Sequence, residues 1–169
     1  MKASRIEIFK EALKTGVVTK KYPFEPIEVP EGFRGKPSID TEKCIGCGAC
    51  ASVCPPNALS IEVDAKKGVK RIMLFLGRCI FCGRCQDVCP TEAIKLSKEF
   101  ELSSLNSKDL YQVVELKMAR CKICGRYYAT VRQILFTARN VPKDQRPLLL
   151  LCDECKSKVS AKYISYARW

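Results

Sequence analysis

The sequence predicts an α+β fold: a pseudo-twofold core, a helical arm before it and a small cysteine-knuckle extension after it. Two observations carry that prediction. The first is a tandem repeat. Cys44–Pro55 reads CIGCGACASVCP and Cys79–Pro90 reads CIFCGRCQDVCP, each with four cysteines spaced C-x2-C-x2-C-x3-C and closed by proline, 35 positions apart. Ile45 matches Ile80, Gly48 matches Gly83, Val53 matches Val88 and Ala58 matches Ala93, so each half is one structural unit. The second is a set of short stretches of strand character around these runs: Ser38–Ile39, the alternating Asn57–Val63, Arg71–Leu76 and Ala93–Leu96.

The spacing belongs to proteins that hold two [4Fe–4S] clusters, and the core is therefore expected to be ferredoxin-like. Three thiolates on a tight loop grip three corners of one cubane. The fourth cysteine points away and ligates the other cluster. The expected ligands of the first cluster are Cys44, Cys47, Cys50 and Cys89. Those of the second are Cys79, Cys82, Cys85 and Cys54. Gly46, Gly48, Gly77 and Gly83 are expected to let the backbone turn and aim N–H groups at sulfur, with short helices starting near Gly48 and Gly83. Four disulfides are the weaker reading, because a 169-residue chain that is 47% apolar needs no such staples and begins with no secretory signal. A pair of zinc sites calls for C-x2-C pairs rather than runs of four.

Residues 1–36 form the arm. Ile6, Phe9, Leu13 and Val17 recur at helical steps over Ser4–Val18, with Lys2, Arg5, Lys10, Lys14, Lys20 and Lys21 around them and Gly16 as the stop. Such a stripe suits a membrane interface or a partner's groove, and equally the protein's own surface. The proline-rich Tyr22–Gly32 stretch reads as an extended arm. Residues 37–98 are the two-cluster core. Residues 99–169 are the extension, with a strand at Leu110–Met118 preceded by a cap or turn at Ser107 or Asp109. A helix is expected within Tyr127–Arg139, with Val131, Ile134 and Leu135 inward. In the C-terminal stretch from Lys156, Tyr163, Tyr166 and Trp169 fall on one face. Leu148–Leu151 reads as a core segment.

Two further C-x2-C knuckles, Cys121-Lys-Ile-Cys124 and Cys152-Asp-Glu-Cys155, stand 27 residues apart. Four thiolates suit one tetrahedral Zn²⁺ or a rubredoxin-type Fe, and the residues do not choose between them. The twelve cysteines thus divide into three groups of four, which argues for metals and a reducing compartment. There is no histidine, which excludes imidazole-ligated metals and histidine acid–base catalysis. The formal charge is +12. Three thiolate-ligated centres at −2 each lower it to roughly 12 − 6 = +6, a basic balance suited to an acidic partner or an anionic membrane surface. Few Asn and Gln among many charges hint at a thermophile. No apolar run reaches membrane-spanning length.

The twin runs, the arm with Gly16, Thr19, Tyr22 and Pro23, the phrase Gly77-Arg-Cys-Ile-Phe-Cys-Gly-Arg-Cys85 and the added knuckles together resemble one family. It is the two-cluster electron-transfer subunit of complex I-like membrane-bound [NiFe] hydrogenases: the hydrogenase-4 and formate hydrogenlyase component H family, with its archaeal hydrogenase and sulfane reductase counterparts. The resemblance implies a peripheral subunit on the cytoplasmic side of the cell membrane. It would take electrons from a soluble ferredoxin or another input subunit and pass them to a cluster-bearing small subunit beside a catalytic large subunit, in a complex whose membrane subunits pump ions. A free-standing soluble ferredoxin is the alternative. A knuckle-based nucleic-acid-binding module using Lys122, Arg126, Arg132 and Arg139 is weaker, since these cations are not gathered in a recognition motif. Neither a nucleotide-binding glycine loop nor an activated nucleophile points to catalysis by the chain alone.

Overall fold

Alternation along one strand lays down the core. Ile72, Leu74 and Leu76 face inward and are almost fully buried, while Arg71 turns outward between Glu62 and Glu115. The computed structural model describes the backbone of residues 5–166 and the side chains of residues 6–160. The chain forms two compact units, Met1–Phe33 and Arg34–Trp169.

In the first unit, α1 (Arg5–Thr15) ends before the expected Val18, and Ser4, where it was expected to begin, lies outside the described residues. Gly16 stops it with a left-handed φ of 63° and an N–H bond to the Ala12 carbonyl at 3.2 Å. Ile6, Phe9 and Leu13 of the apolar stripe are exposed.

In the second unit the elements run β1 (Pro37–Ile39), α2 (Ala49–Ser52), β2 (Leu59–Asp64), β3 (Val69–Phe75), α3 (Arg84–Asp87), β4 (Ile94–Leu96), β5 (Tyr111–Arg120), β6 (Tyr127–Thr130), α4 (Val131–Asn140) and α5 (Asp153–Tyr166). β1 and β4 pair antiparallel, Ile39 opposite Ile94. β2, β3, β5 and β6 form one antiparallel sheet in that order. Leu59 faces Leu74, Ile72 faces Val114, and Met118 faces Thr130. The architecture is α+β.

The repeat is written into the backbone. Gly48 (φ 87°) and Gly83 (φ 81°) occupy the N-caps of α2 and α3, and Asn57 (φ 50°) and Glu92 (φ 51°) take equal left-handed turns 35 residues apart. Gly77 does not join them. It lies in a 3-10 turn, Leu76–Arg78, outside the left-handed region, and the residue equivalent to Gly46 (φ 74°) is Phe81 (φ 54°).

The extension is not a separate lobe. β5 lies along β3, and the Gln112 side chain accepts from the Ile39 N–H at 3.2 Å and donates to the Pro37 carbonyl at 3.0 Å, joining the two sheets. Phe75 and Tyr111 stack at 4.6 Å between ring centroids. Several expectations need correction. Ser107 and Asp109 lie in the expected turn, a 3-10 turn over Ser107–Leu110 before β5, but its cap is Asn106, accepting from the Lys108 N–H at 3.1 Å. β2 is buried only at Leu59, and Ile61 and Val63, expected on a half-buried face, are exposed. The Tyr127–Arg139 stretch starts as strand β6 because Tyr127–Thr130 pairs with β5 across a bulge. On α4 Val131 and Leu135 are exposed, whereas Ile134 is half-buried as expected, together with Gln133 and Thr137. Leu148–Leu150 form part of a half-buried 3-10 turn rather than a core segment. The side chains of Tyr163 and Tyr166, and Trp169 altogether, lie outside the described residues, as does Lys2.

Candidate metal centres

The loops of the two repeats close two cavities. The first is lined by Cys44, Cys47, Cys50 and Cys89 together with Ile39, Ile72 and Ile94. The second is lined by Cys79, Cys82, Cys85 and Cys54 together with Leu59, Leu74 and Leu96. Each cavity takes three thiols from one repeat and the fourth from the other. β1–β4 pairing and the crossed ladder of β2 and β3 bring each fourth cysteine back to the opposite loop.

All eight of these cysteines are free thiols. Burial, then the thiols of Cys47 and Cys44, pushes Cys50 up to about 11. Burial also pushes Cys85 up to about 11 and raises Cys44 and Cys79. Cys44 feels Cys47 and Cys89, whereas Cys79 feels Cys54 and Cys82. Crowded thiols in apolar walls become thiolates only when a cation sits among them, so these cavities fit an iron–sulfur core. The short helices of the two loops, α2 and α3, pack together, and Cys50 feels Cys85 of the other cavity. Backbone N–H groups meet sulfur at repeat-equivalent places: Ala58 to Cys54 and Ala93 to Cys89, both at 3.2 Å, with Phe81 to Cys79 at 3.4 Å. At Cys89 burial works upward, but N–H donors from Thr91, Ile94 and Ala93 prevail and hold the thiol below its ordinary range. Such donors stabilise charge on sulfur.

The first loop carries a cover that sequence reasoning missed. The Thr130 hydroxyl donates to the Ile45 carbonyl, and the Arg132 guanidinium donates to the carbonyls of Thr41, Glu42 and Cys44. Leu116 and Thr130 press against Gly46 so closely that a Cβ there would meet their side chains at 2.6 and 2.8 Å. Thr130 before a helical pattern is legible as an N-cap. Its reach back to Ile45 is not.

The third group also assembles. The sulfurs of Cys121, Cys124, Cys152 and Cys155 lie within 4.8 Å of one another, with Cys124 and Cys152 at 3.6 Å. A tetrahedron with metal–sulfur bonds of about 2.3 Å has edges of about 3.8 Å, so the donor set fits a mononuclear metal. N–H groups of Cys124, Cys152 and Ile123 hold the Cys121 thiol down to about 6. Cys155, facing those neighbouring thiols, is pushed up to about 12. Arg126 spans the knuckles, paired with Glu154 and beside Cys124, whose thiol it helps to lower after its own backbone N–H. Tyr128 packs on the group and donates to the Leu149 carbonyl.

Residues 43–93 match the 4Fe-4S dicluster domain family, which defines the class: an iron–sulfur protein. Formate hydrogenlyase subunit 6 of Escherichia coli K12 is 42% identical over 154 residues, 87% of this chain and 86% of that protein. The chloroplast NAD(P)H-quinone oxidoreductase subunit I of Platanus occidentalis is 38% identical over 126 residues, 70% and 68% of the two chains. That of Nephroselmis olivacea is matched over 57 residues, 33% of its length. A solved chain of the membrane-bound sulfane sulfur reductase, an archaeal respiratory membrane complex, aligns with a TM-score of 0.47 at 30% identity, over 65% of this chain and 61% of that one. The chain belongs to the family of formate hydrogenlyase subunit 6 and NAD(P)H-quinone oxidoreductase subunit I.

Proposed function

We propose that this chain is an electron-transfer subunit of a membrane-bound, ion-pumping oxidoreductase related to complex I and the energy-converting hydrogenases. Cys44, Cys47, Cys50 and Cys89 hold one [4Fe–4S] cluster and Cys54, Cys79, Cys82 and Cys85 hold the second. Such a cluster supplies one-electron transfer without making or breaking substrate bonds. The observation that carries the reading is the crossed lining of the two adjoining cavities. The chain's residues do the rest: thiols ligate, apolar walls exclude water, and N–H groups from Ala58 and Ala93 hold the crossing sulfurs in place.

The relatives' names support the setting, since one is a subunit of a formate hydrogenlyase and the other a subunit of an NAD(P)H-quinone oxidoreductase. The partners proposed are a cluster-bearing small subunit, a catalytic large subunit, membrane subunits and a soluble ferredoxin as donor, on the cytoplasmic face of the membrane. Among the described residues no helix is long and apolar enough to cross a bilayer, which accords with a peripheral subunit. Cys121, Cys124, Cys152 and Cys155 hold Zn²⁺ in a closed structural site, and a rubredoxin-type Fe is the alternative.

Anaerobic reconstitution of the full chain tests this. Expected are about eight iron and eight sulfide per chain plus one mononuclear metal, with coupled [4Fe–4S] EPR signals on reduction. About four iron per chain, or disulfides among the eight thiols, overturns the two-cluster reading. Elution of native extract at the monomer mass overturns the complex.

A further inference from the structure

The two cluster loops repeat in sequence but not in exposure. Ile45 is 9% exposed, and its equivalent Ile80 is 59% exposed. Cys44, Ile45 and Gly46 are buried under β5, β6 and the start of α4, and Gly48 against Ile61 of β2, whereas no residue from 79 to 83 is buried. The charges differ in the same sense. Lys43, beside the first loop, is paired with Asp40 at 3.3 Å. Its equivalent Arg78 is exposed, as is Arg84, which stands where the first repeat has Ala49. Arg34 joins them, its guanidinium donating to the Cys82 carbonyl at 3.4 Å. None of these three arginines forms an ion pair among the described residues, and the one carboxylate of the loop, Asp87, leaves them in excess.

Resting on the two-cluster reading above, we infer that the second cluster loop is a docking face for an acidic redox protein, with Ile80 as its apolar centre and Arg34, Arg78 and Arg84 as its rim. Ile80 and Arg84 also line the second cavity, so a partner seated there lies directly against that site. A small apolar centre ringed by unpaired cations is the anatomy of a transient, electrostatically steered contact. The first loop lacks this combination: its isoleucine is buried, and its lysine, though exposed, is paired with Asp40.

The probe is a small acidic [4Fe–4S] ferredoxin, kept oxidised and titrated calorimetrically into the reconstituted full chain. The wild type is expected to bind at low salt and to weaken steeply between about 0.05 and 0.5 M salt. Arg78→Glu with Arg84→Glu is expected to raise Kd at least about tenfold. The same charge change on another face, Arg139→Glu with Lys143→Glu, should alter it less than about twofold. Arg78→Gln with Arg84→Gln gives an intermediate loss if the reversed pair fails to hold clusters, and Ile80→Ser weakens binding without changing the salt slope. Equal affinity in all variants, or a loss confined to the Arg139/Lys143 pair, overturns the proposal. Iron, sulfide and EPR on the same samples test the cluster reading separately.

Discussion

The Thr130 hydroxyl donates to the carbonyl of Ile45, a residue 85 positions earlier, and accepts from the Gln133 N–H at 3.1 Å. One buried side chain thus starts α4 and clamps the loop that surrounds the first cavity. Thr130 is 1% exposed, so water cannot replace it. Thr130→Val keeps the shape and strands both partners. The expected loss is about 1–3 kcal/mol of stability, with the first cluster released before the second. Thermal unfolding followed by circular dichroism, and EPR on reduced samples, check it. Equal retention of both clusters would mean that the clamp does not hold the loop.

Gly46 meets the same cover. Its φ of 74° and the nearness of Leu116 and Thr130 leave no room for a methyl group. Gly46→Ala should cost about 1–3 kcal/mol and reduce iron incorporation. Gly125, equally left-handed but with nothing within 4 Å, should show only the backbone cost on the same change. Comparing the two variants separates crowding from dihedral strain.

The crossed ligand sets make opposite predictions for the two fourth cysteines. Cys89→Ser should damage the cluster of the first loop and Cys54→Ser that of the second. Each should lower iron from about eight toward about four per chain. Spectra of the pair should therefore resemble those of Cys47→Ser and Cys82→Ser respectively. If Cys54→Ser instead matches Cys47→Ser, each repeat closes its own cluster and the crossing is wrong.

Cys124→Ser should remove the mononuclear metal, lower the melting temperature and leave both cluster signals in place. Metal analysis of the wild type distinguishes zinc from iron. Abolished electron transfer in an intact, fully clustered Cys124→Ser chain would make this third site a redox centre.

Metal binding at this site should also depend on pH. At neutral pH Cys121, held to about 6, is already a thiolate. Cys155, pushed up to about 12, keeps its proton until a metal displaces it. Loading therefore releases protons, and the apparent affinity rises with pH by about tenfold per proton per unit. Below about 6 Cys121 protonates too, so the slope steepens on that side. Competition with a chromophoric chelator from pH 5 to 8 reads the slope. A flat profile would show that the thiols are deprotonated before metal arrives.

The grouping of the cysteines was legible because C-x2-C spacing is local: it sets which sulfurs share a turn whatever the rest of the chain does. Short strands and the helix starts at Gly48 and Gly83 were legible for the same reason. Less could be read where a residue's environment comes from distant chain. Val131, Ile134 and Leu135 fit a helical stripe, yet only Ile134 is half-buried, beside Gln133 and Thr137, because α4 follows directly on β6, whose pairing with β5 fixes where the helix starts. Gly77 looked like a turn glycine, but Phe81 took the left-handed position.

By itself the sequence determined the α+β class, the paired four-cysteine loops and the two knuckles, since each follows from residues within a dozen positions of one another. Only the tertiary structure decided that β5 and β6 would extend the core sheet and cover one loop while leaving its twin bare. The repeat makes Ile45 and Ile80 equivalent in sequence. Long-range packing by Leu116, Thr130 and Arg132 falls on the first loop alone, and no local pattern encodes which of two equal loops a distant strand will reach.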